Sequence, residues 1–169
     1  MVILSTKEFE IYFYKCFDFS QEEFDNEVRD IKEKQPNLLE HILFALRAKD
    51  LNTEQRDFMI MFFVSLWKLV KENPAYIDNP IELKHFDDEY KNNQNYFKNI
   101  GAINKKKEFD DFVKIAFEGY GQKQFYLLVF KYFFQDDTFK NLEIPNLLNW
   151  FCISKSCVDV FDKVLNNKY

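Results

Sequence analysis

Histidine and cysteine, the residue types that most often serve as bases, nucleophiles and metal ligands, are scarce in this chain of 169 residues. There are two histidines, His41 and His85, and three cysteines, Cys16, Cys152 and Cys157. A serine or cysteine nucleophile needs a histidine base beside it, and the sequence has no Gly-x-Ser-x-Gly turn to present such a serine. We therefore expect both histidines to be surface or boundary residues, and we predict no catalytic residue.

The spacings needed for a bound metal or cofactor are incomplete as well. Glu82 and His85 form one Glu-x-x-His pair, whereas a di-iron helical bundle uses two such pairs and two further glutamates. Cys152 and Cys157 lack the close spacing and the histidine partners of a structural zinc site. The acidic clusters lack the glycine of a calcium loop, and neither glycine-rich nucleotide motif occurs. We predict no metal and no cofactor.

The elements that must position these side chains are predicted to be helices. Aromatic residues make up 19% of the chain, and most phenylalanines recur three or four residues apart, which indicates aromatic stripes on core helices. Ser5 with Glu8 and Ser20 with Glu23 match the capping box that begins a helix. Sustained polar–apolar alternation, the signal of strands, is absent. We therefore predict one compact all-α domain over residues 1–169, with about seven to nine helices in antiparallel hairpins, and a short solenoid as one arrangement of them.

Two stretches set the predicted layout of the chain. An almost wholly apolar helix over 53–72, capped by its first residue, should be the central element of the core. After it, residues 73–104 contain helix breakers, and a short helix that begins at Pro80 should end in the asparagine-rich stretch 91–95. We place a hinge or an insertion within 73–104, and we expect a further helix over 104–118.

Residues 146–168 resemble the helix-turn-helix of repressor-type DNA-binding domains. The likeness rests on a first helix, a turn at 153–156 and a second helix over 156–166. It implies a DNA-binding regulator, which is one alternative function. Asp159 and Asp162 on the second helix would face the DNA phosphates unfavourably. We therefore expect an ordinary helical hairpin here, and we disfavour nucleic acid as the partner.

Acidic residues are concentrated near the start of the chain. The net charge is −5, and the first 85 residues contribute all of it. A negative surface repels nucleic acid and anionic lipid and attracts basic proteins. We predict that a helix over 18–33 binds a basic protein partner through six carboxylates. These are Glu22, Glu23, Asp25, Glu27, Asp30 and Glu33.

The predicted function follows from these absences and from this charge. The apolar stretches 58–70 and 125–134 are shorter than the roughly 20 residues of a membrane span, and no secretory leader accompanies the odd number of cysteines. We therefore expect a cytoplasmic, non-enzymatic protein-binding module, of the immunity, antitoxin or adaptor type found among small acidic bacterial proteins. A carrier of an apolar ligand is the other alternative. Its cavity would be lined by Phe62, Phe63, Trp67, Phe130 and Phe134.

Overall fold

The computed structural model of the protein describes residues 2–47, 51–98, 117–118, 120–166 and 168. Within this part of the chain there are seven α-helices, one short 3-10 helix and no strand, which confirms the all-α prediction. The 3-10 helix lies between the sixth and seventh α-helices. The α-helices are α1 (Thr6–Cys16), α2 (Gln21–Lys34), α3 (Pro36–Leu46), α4 (Thr53–Lys71), α5 (Leu83–Phe97), α6 (Lys123–Phe134) and α7 (Ile144–Leu165).

The capping residues begin the first two helices where the sequence predicts them. The Ser5 hydroxyl oxygen accepts the Glu8 backbone N–H at 3.2 Å. Ser20 and Glu23 cap α2 reciprocally, because each side chain accepts the backbone N–H of the other, at 3.3 and 2.8 Å. The cap of α4 is Asn52, one residue earlier than predicted. Asparagine caps a helix at least as well as threonine, so the local signal allowed either position.

Helix α4 is the central element of the core, as predicted. It contacts α1, α2, α3 and α7, and buried side chains lie around most of its circumference, among them Phe58, Phe62, Trp67 and Val70. A helix that is apolar all round must be enclosed by other helices, and the burial follows that rule. None of the helices in the described part of the chain is both long and apolar enough to cross a membrane.

The rings expected to line a ligand cavity are packed against other rings. Phe62 lies 5.4 Å from Phe63, and Phe130 lies 4.6 Å from Phe134, measured between ring centroids. Trp67 is fully buried. Stacked and edge-to-face contacts of this kind belong to a filled aromatic core. The packing therefore gives no support to the apolar-ligand carrier.

The last helix shows the largest departure from the sequence-based layout. The prediction of two helices with a turn at 153–156 is wrong, because α7 runs without a break from Ile144–Leu165. The supposed turn contains neither glycine nor proline, and Val158 and Phe161 in the supposed recognition helix are fully buried. Packing against α5 and α6 along its length stabilises one continuous helix over a helix, a turn and a second helix. The helix-turn-helix suggested by the sequence at 146–168 is therefore absent from the described residues.

Helix α5 also runs further than predicted. It begins at Leu83 rather than Pro80, and it continues through the asparagine-rich stretch to Phe97. The reason is long-range packing, since Asn93 is buried and donates to Asp159 at 2.8 Å. Such contacts override the weak helix preference of asparagine. The hinge within 73–104 stays a prediction, and most of the helix predicted over 104–118 lies outside the described residues.

Candidate functional site

The acidic helix α2 is partly committed to contacts within the fold. The Glu27 carboxylate accepts from Lys68 at 3.0 Å and from Lys71 at 2.8 Å. Asp30 accepts from Lys71 at 2.9 Å and from the Trp67 indole N–H at 2.8 Å. Both carboxylates are mostly shielded from solvent, with side-chain exposures of 15% and 24%. We call these four charged residues the α2–α4 ion-pair cluster, and its contacts fasten α2 to the central helix.

These contacts keep both carboxylates ionised. Burial alone would raise the pKa of Asp30, but hydrogen bonds from Lys71, Trp67 and Lys34 outweigh burial and lower that pKa to about 2. The pKa of Glu27 is likewise lowered, because the hydrogen bonds from its two lysines outweigh burial. The other four carboxylates predicted to bind a partner are exposed. They are Glu22, Glu23, Asp25 and Glu33, of which Glu23 also caps the helix.

An apolar groove lies beside the start of α2, between α1, α4 and the segment after α6. It consists of a cavity of about 620 Å³ and a second of about 240 Å³, which share Phe17, Asp57 and Met61. We call the two together the α1–α4 groove. Its apolar floor includes Phe13, Phe17, Phe58, Met61 and Tyr132 in the larger cavity, and Phe19, Phe24 and Ile60 in the smaller.

The charged side chains that line this groove, among the described residues, are all acidic. Glu54, Asp57 and Asp136 line it, and within the part of the chain that the structure describes neither cavity has a lysine or an arginine in its wall. Glu54 and Asp57 are exposed, while Asp136 accepts the Thr138 backbone N–H at 2.9 Å. An apolar surface with an acidic edge can take up a ligand that is both apolar and basic. Sequence reasoning missed this site, because its ring pattern matches that of the buried core.

A histidine and a serine meet inside the core, which the sequence did not indicate. His41, expected at the surface or boundary, is 5% exposed, so that expectation was wrong. Its Nε2 lies 3.3 Å from Ser156 Oγ, and its Nδ1 lies 4.0 Å from an oxygen of Asp87. Burial lowers the pKa of His41, which favours the neutral ring. Ser156 is fully buried and donates to the Ile153 carbonyl at 2.6 Å, so its hydroxyl is enclosed and already engaged.

A buried ion pair on α7 was also missed. Lys155, placed by the sequence in the supposed turn at 153–156, and Asp159 are only 3% and 8% exposed. The Lys155 ammonium lies 2.9 Å from both oxygens of Asp159, which also accepts from Tyr126 at 2.6 Å and Asn93 at 2.8 Å. Burial and the neighbouring Asp159 raise the pKa of Tyr126, so this phenol stays a donor. The cluster forms the floor of a cavity of about 460 Å³, which we call the polar pocket.

The cysteines do not form a reactive or metal-binding group. All three are free and buried. Burial raises the pKa of Cys152 to about 12, so this thiol is protonated near neutral pH and is a poor nucleophile. Among the residues that the structure describes, no three histidine, cysteine or acidic side chains converge as metal ligands would.

No protein-family model, curated protein sequence or solved structure matches this chain. The features of the described residues that bear on function are the α1–α4 groove, the polar pocket and the charged side chains that line them.

Proposed function

We propose that this protein is a non-enzymatic binding module whose α1–α4 groove holds a basic, amphipathic segment of a partner protein. The observation that carries the proposal is an apolar floor edged by charges of one sign. Of the described residues that line the groove, the charged ones are all carboxylates, from Glu54, Asp57 and Asp136. A basic segment would gain attraction at the edge while its apolar side chains leave water at the floor.

Exposed aromatic rings supply the apolar half of the proposed interface. Phe17 is 51% exposed and Tyr14 is 61% exposed, although both line the groove. Burying a whole phenylalanine side chain contributes about 1.5–3 kcal/mol, so covering the exposed half of Phe17 would contribute roughly 1 kcal/mol. Aromatic side chains in well-packed pockets often dominate the affinity of protein interfaces, and these two rings are our candidates for that role.

Helix α2 extends the negative surface beyond the groove. Gln21 and Phe24 line the smaller cavity, and the exposed Glu22 and Asp25 stand next to them on the same helix. Exposed charges attract over about 8–10 Å at moderate salt, which accelerates the encounter with a basic partner. We therefore propose that the exposed carboxylates of α2 attract the basic partner during the encounter and that the groove then binds its segment. This division of labour suits an immunity, antitoxin or adaptor protein, which acts by covering its partner.

The proposal can be tested with labelled peptides and fluorescence anisotropy. A Lys/Leu amphipathic 14-residue peptide is the probe, and Glu/Leu and Lys/Ser peptides of equal length separate the charge requirement from the apolar one. The test variant is Glu54→Gln/Asp57→Asn in the groove. The matched control is Glu40→Gln/Asp78→Asn, which removes the same charge from exposed positions outside the groove.

We expect only the Lys/Leu peptide to bind, with an affinity that falls as salt rises. The groove variant should bind it about two- to thirtyfold more weakly, because two exposed ion pairs contribute about 0.2–1 kcal/mol each. The control variant should bind like the wild type. Equal weakening in both variants would refute the groove, and equal binding of the Glu/Leu peptide would refute the charge argument.

A further inference from the structure

The floor of the polar pocket is fixed before any ligand arrives. Asp159 accepts hydrogen bonds from Lys155, Tyr126 and Asn93. These three donors lie on three different helices, α7, α6 and α5. The Lys155 ammonium also lies 4.5 Å from the Tyr126 ring centroid and 5.0 Å from that of Tyr120. A saturated, buried network of this kind cannot relax far. The pocket therefore keeps its shape, and a ligand would bind without the cost of ordering it.

The wall of the pocket presents aromatic rings that are still open to solvent. Tyr96 is 50% exposed and Tyr120 is 43% exposed, and both line the cavity. A tyrosine offers a flat apolar face together with a polar hydroxyl. A ligand with a flat face of C–H groups and with polar groups at its edges can therefore stack on these rings. The cavity of about 460 Å³ lies within the range of roughly 300–1,000 Å³ that is usual for small-molecule sites.

The charges of the pocket cancel in pairs. Lys155 pairs with Asp159, Lys163 with Glu89, and Lys168 with Asp162. No other charged side chain among residues 2–47, 51–98, 117–118, 120–166 and 168 lines the cavity. A ligand with a net charge would therefore meet no opposite excess charge, and it would have to compete with an existing ion pair. The pocket favours a neutral ligand.

The pocket wall carries both hydrogen-bond donors and acceptors. Lysine ammonium groups donate, carboxylates accept, and the amide of Asn92 does both. A hydroxyl group also donates and accepts, so several hydroxyls on one ring can match such a wall. We propose that the polar pocket binds a neutral sugar unit, with its ring face on Tyr96 or Tyr120 and its hydroxyls on the paired charges. This inference is independent of the α1–α4 groove, with which the pocket shares no residue.

A ligand-observed NMR titration tests the proposal on the full chain. The neutral probes are D-glucose, D-galactose and maltose. D-glucuronate and D-glucosamine are their charged counterparts, and sorbitol has the hydroxyls without the ring. The test variant is Tyr96→Ala, and the matched control is Phe44→Ala, which removes an exposed aromatic ring outside both the polar pocket and the α1–α4 groove. Both positions are on the surface, so both variants should fold, and circular dichroism verifies that they do.

We expect at least one neutral ring sugar to bind in the millimolar range and the charged sugars and sorbitol to bind several-fold more weakly. Tyr96→Ala should weaken the sugar about three- to tenfold, the usual effect of one aromatic stacking contact. Phe44→Ala should leave the sugar affinity unchanged. The proposal is overturned if no neutral sugar binds, if a charged sugar binds as tightly as its neutral counterpart, or if both variants weaken binding equally.

Discussion

Breaking the buried Lys155–Asp159 ion pair should destabilise the protein far more than breaking an exposed pair of the same spacing. The two side chains are 4% and 9% exposed and lie four residues apart on α7. Lys84 and Asp88 on α5 have the same spacing, with a separation of 3.8 Å and exposures of 76% and 50%. The comparison of Lys155→Met with Lys84→Met therefore isolates the effect of burial.

The expected magnitudes follow from the surroundings of the two pairs. Lys155→Met leaves the Asp159 carboxylate buried with only Tyr126 and Asn93 as donors, and such an uncompensated charge costs about 3–5 kcal/mol. For a chain of this length that loss corresponds to a fall in Tm of roughly 6–20 °C. Lys84→Met should change the free energy of unfolding by no more than about 0.5 kcal/mol.

Urea unfolding at neutral pH, followed by far-ultraviolet circular dichroism, measures both changes. A third variant, Lys155→Met/Asp159→Asn, removes the stranded charge and keeps one acceptor oxygen for Tyr126. It should be more stable than Lys155→Met by at least about 1 kcal/mol, because burying a neutral amide costs less free energy than burying a carboxylate ion. If Lys155→Met costs no more than Lys84→Met, or if the double variant recovers nothing, our account of the buried pair is wrong.

Two further predictions concern pH. Because the pKa of His41 is lowered in the folded state, the unfolded chain binds a proton more readily, and stability is lost as pH falls below about 6.5. His41→Gln should remove this part of the loss in unfolding free energy, which is at most about 1.4 kcal/mol between pH 6.5 and 5.5. An equal loss of unfolding free energy in the wild type and the variant would contradict this prediction. The pKa of Asp30 is lowered to about 2, so its contribution is full above about pH 4 and is lost towards pH 2. Lys71→Met should cost about 1–3 kcal/mol at pH 7 and flatten the acid transition in urea titrations, and an unchanged acid transition would count against the ion-pair cluster.

The parts of the fold that could be predicted from the sequence are those fixed by neighbouring residues. The caps at Ser5 and Ser20 are local hydrogen bonds over three residues, so the helix starts were visible. The apolar composition of α4 likewise predicted that this helix would be buried. The continuation of α5 through its asparagines could not be predicted, because Asn93 is held by Asp159, 66 residues away. This long-range hydrogen bond outweighs the weak helix preference of the asparagines.

The candidate sites were hidden for a related reason. Phe13 and Phe17 follow the same helical spacing, yet Phe13 is 2% exposed and Phe17 is 51% exposed. The difference depends on how far α4 covers the end of α1, which periodicity does not encode. Similarly, His41 and Ser156 are separated by 115 residues, and no motif links them. Six acidic residues were correctly identified as one charged helix, but their division into fastening and exposed groups needed the position of Lys71.

The three enclosed thiols give the folded chain a built-in reporter of its own opening. Cys16 lies on α1, whereas Cys152 and Cys157 lie on α7, so they sample two separate regions of the interior. A thiol-specific reagent can modify them only after the surrounding helices part, because buried thiols are inert. One common modification rate would mean that the interior opens as a single unit. A faster rate at Cys16, which also lines the smaller cavity of the α1–α4 groove, would mean that the region around this groove opens first.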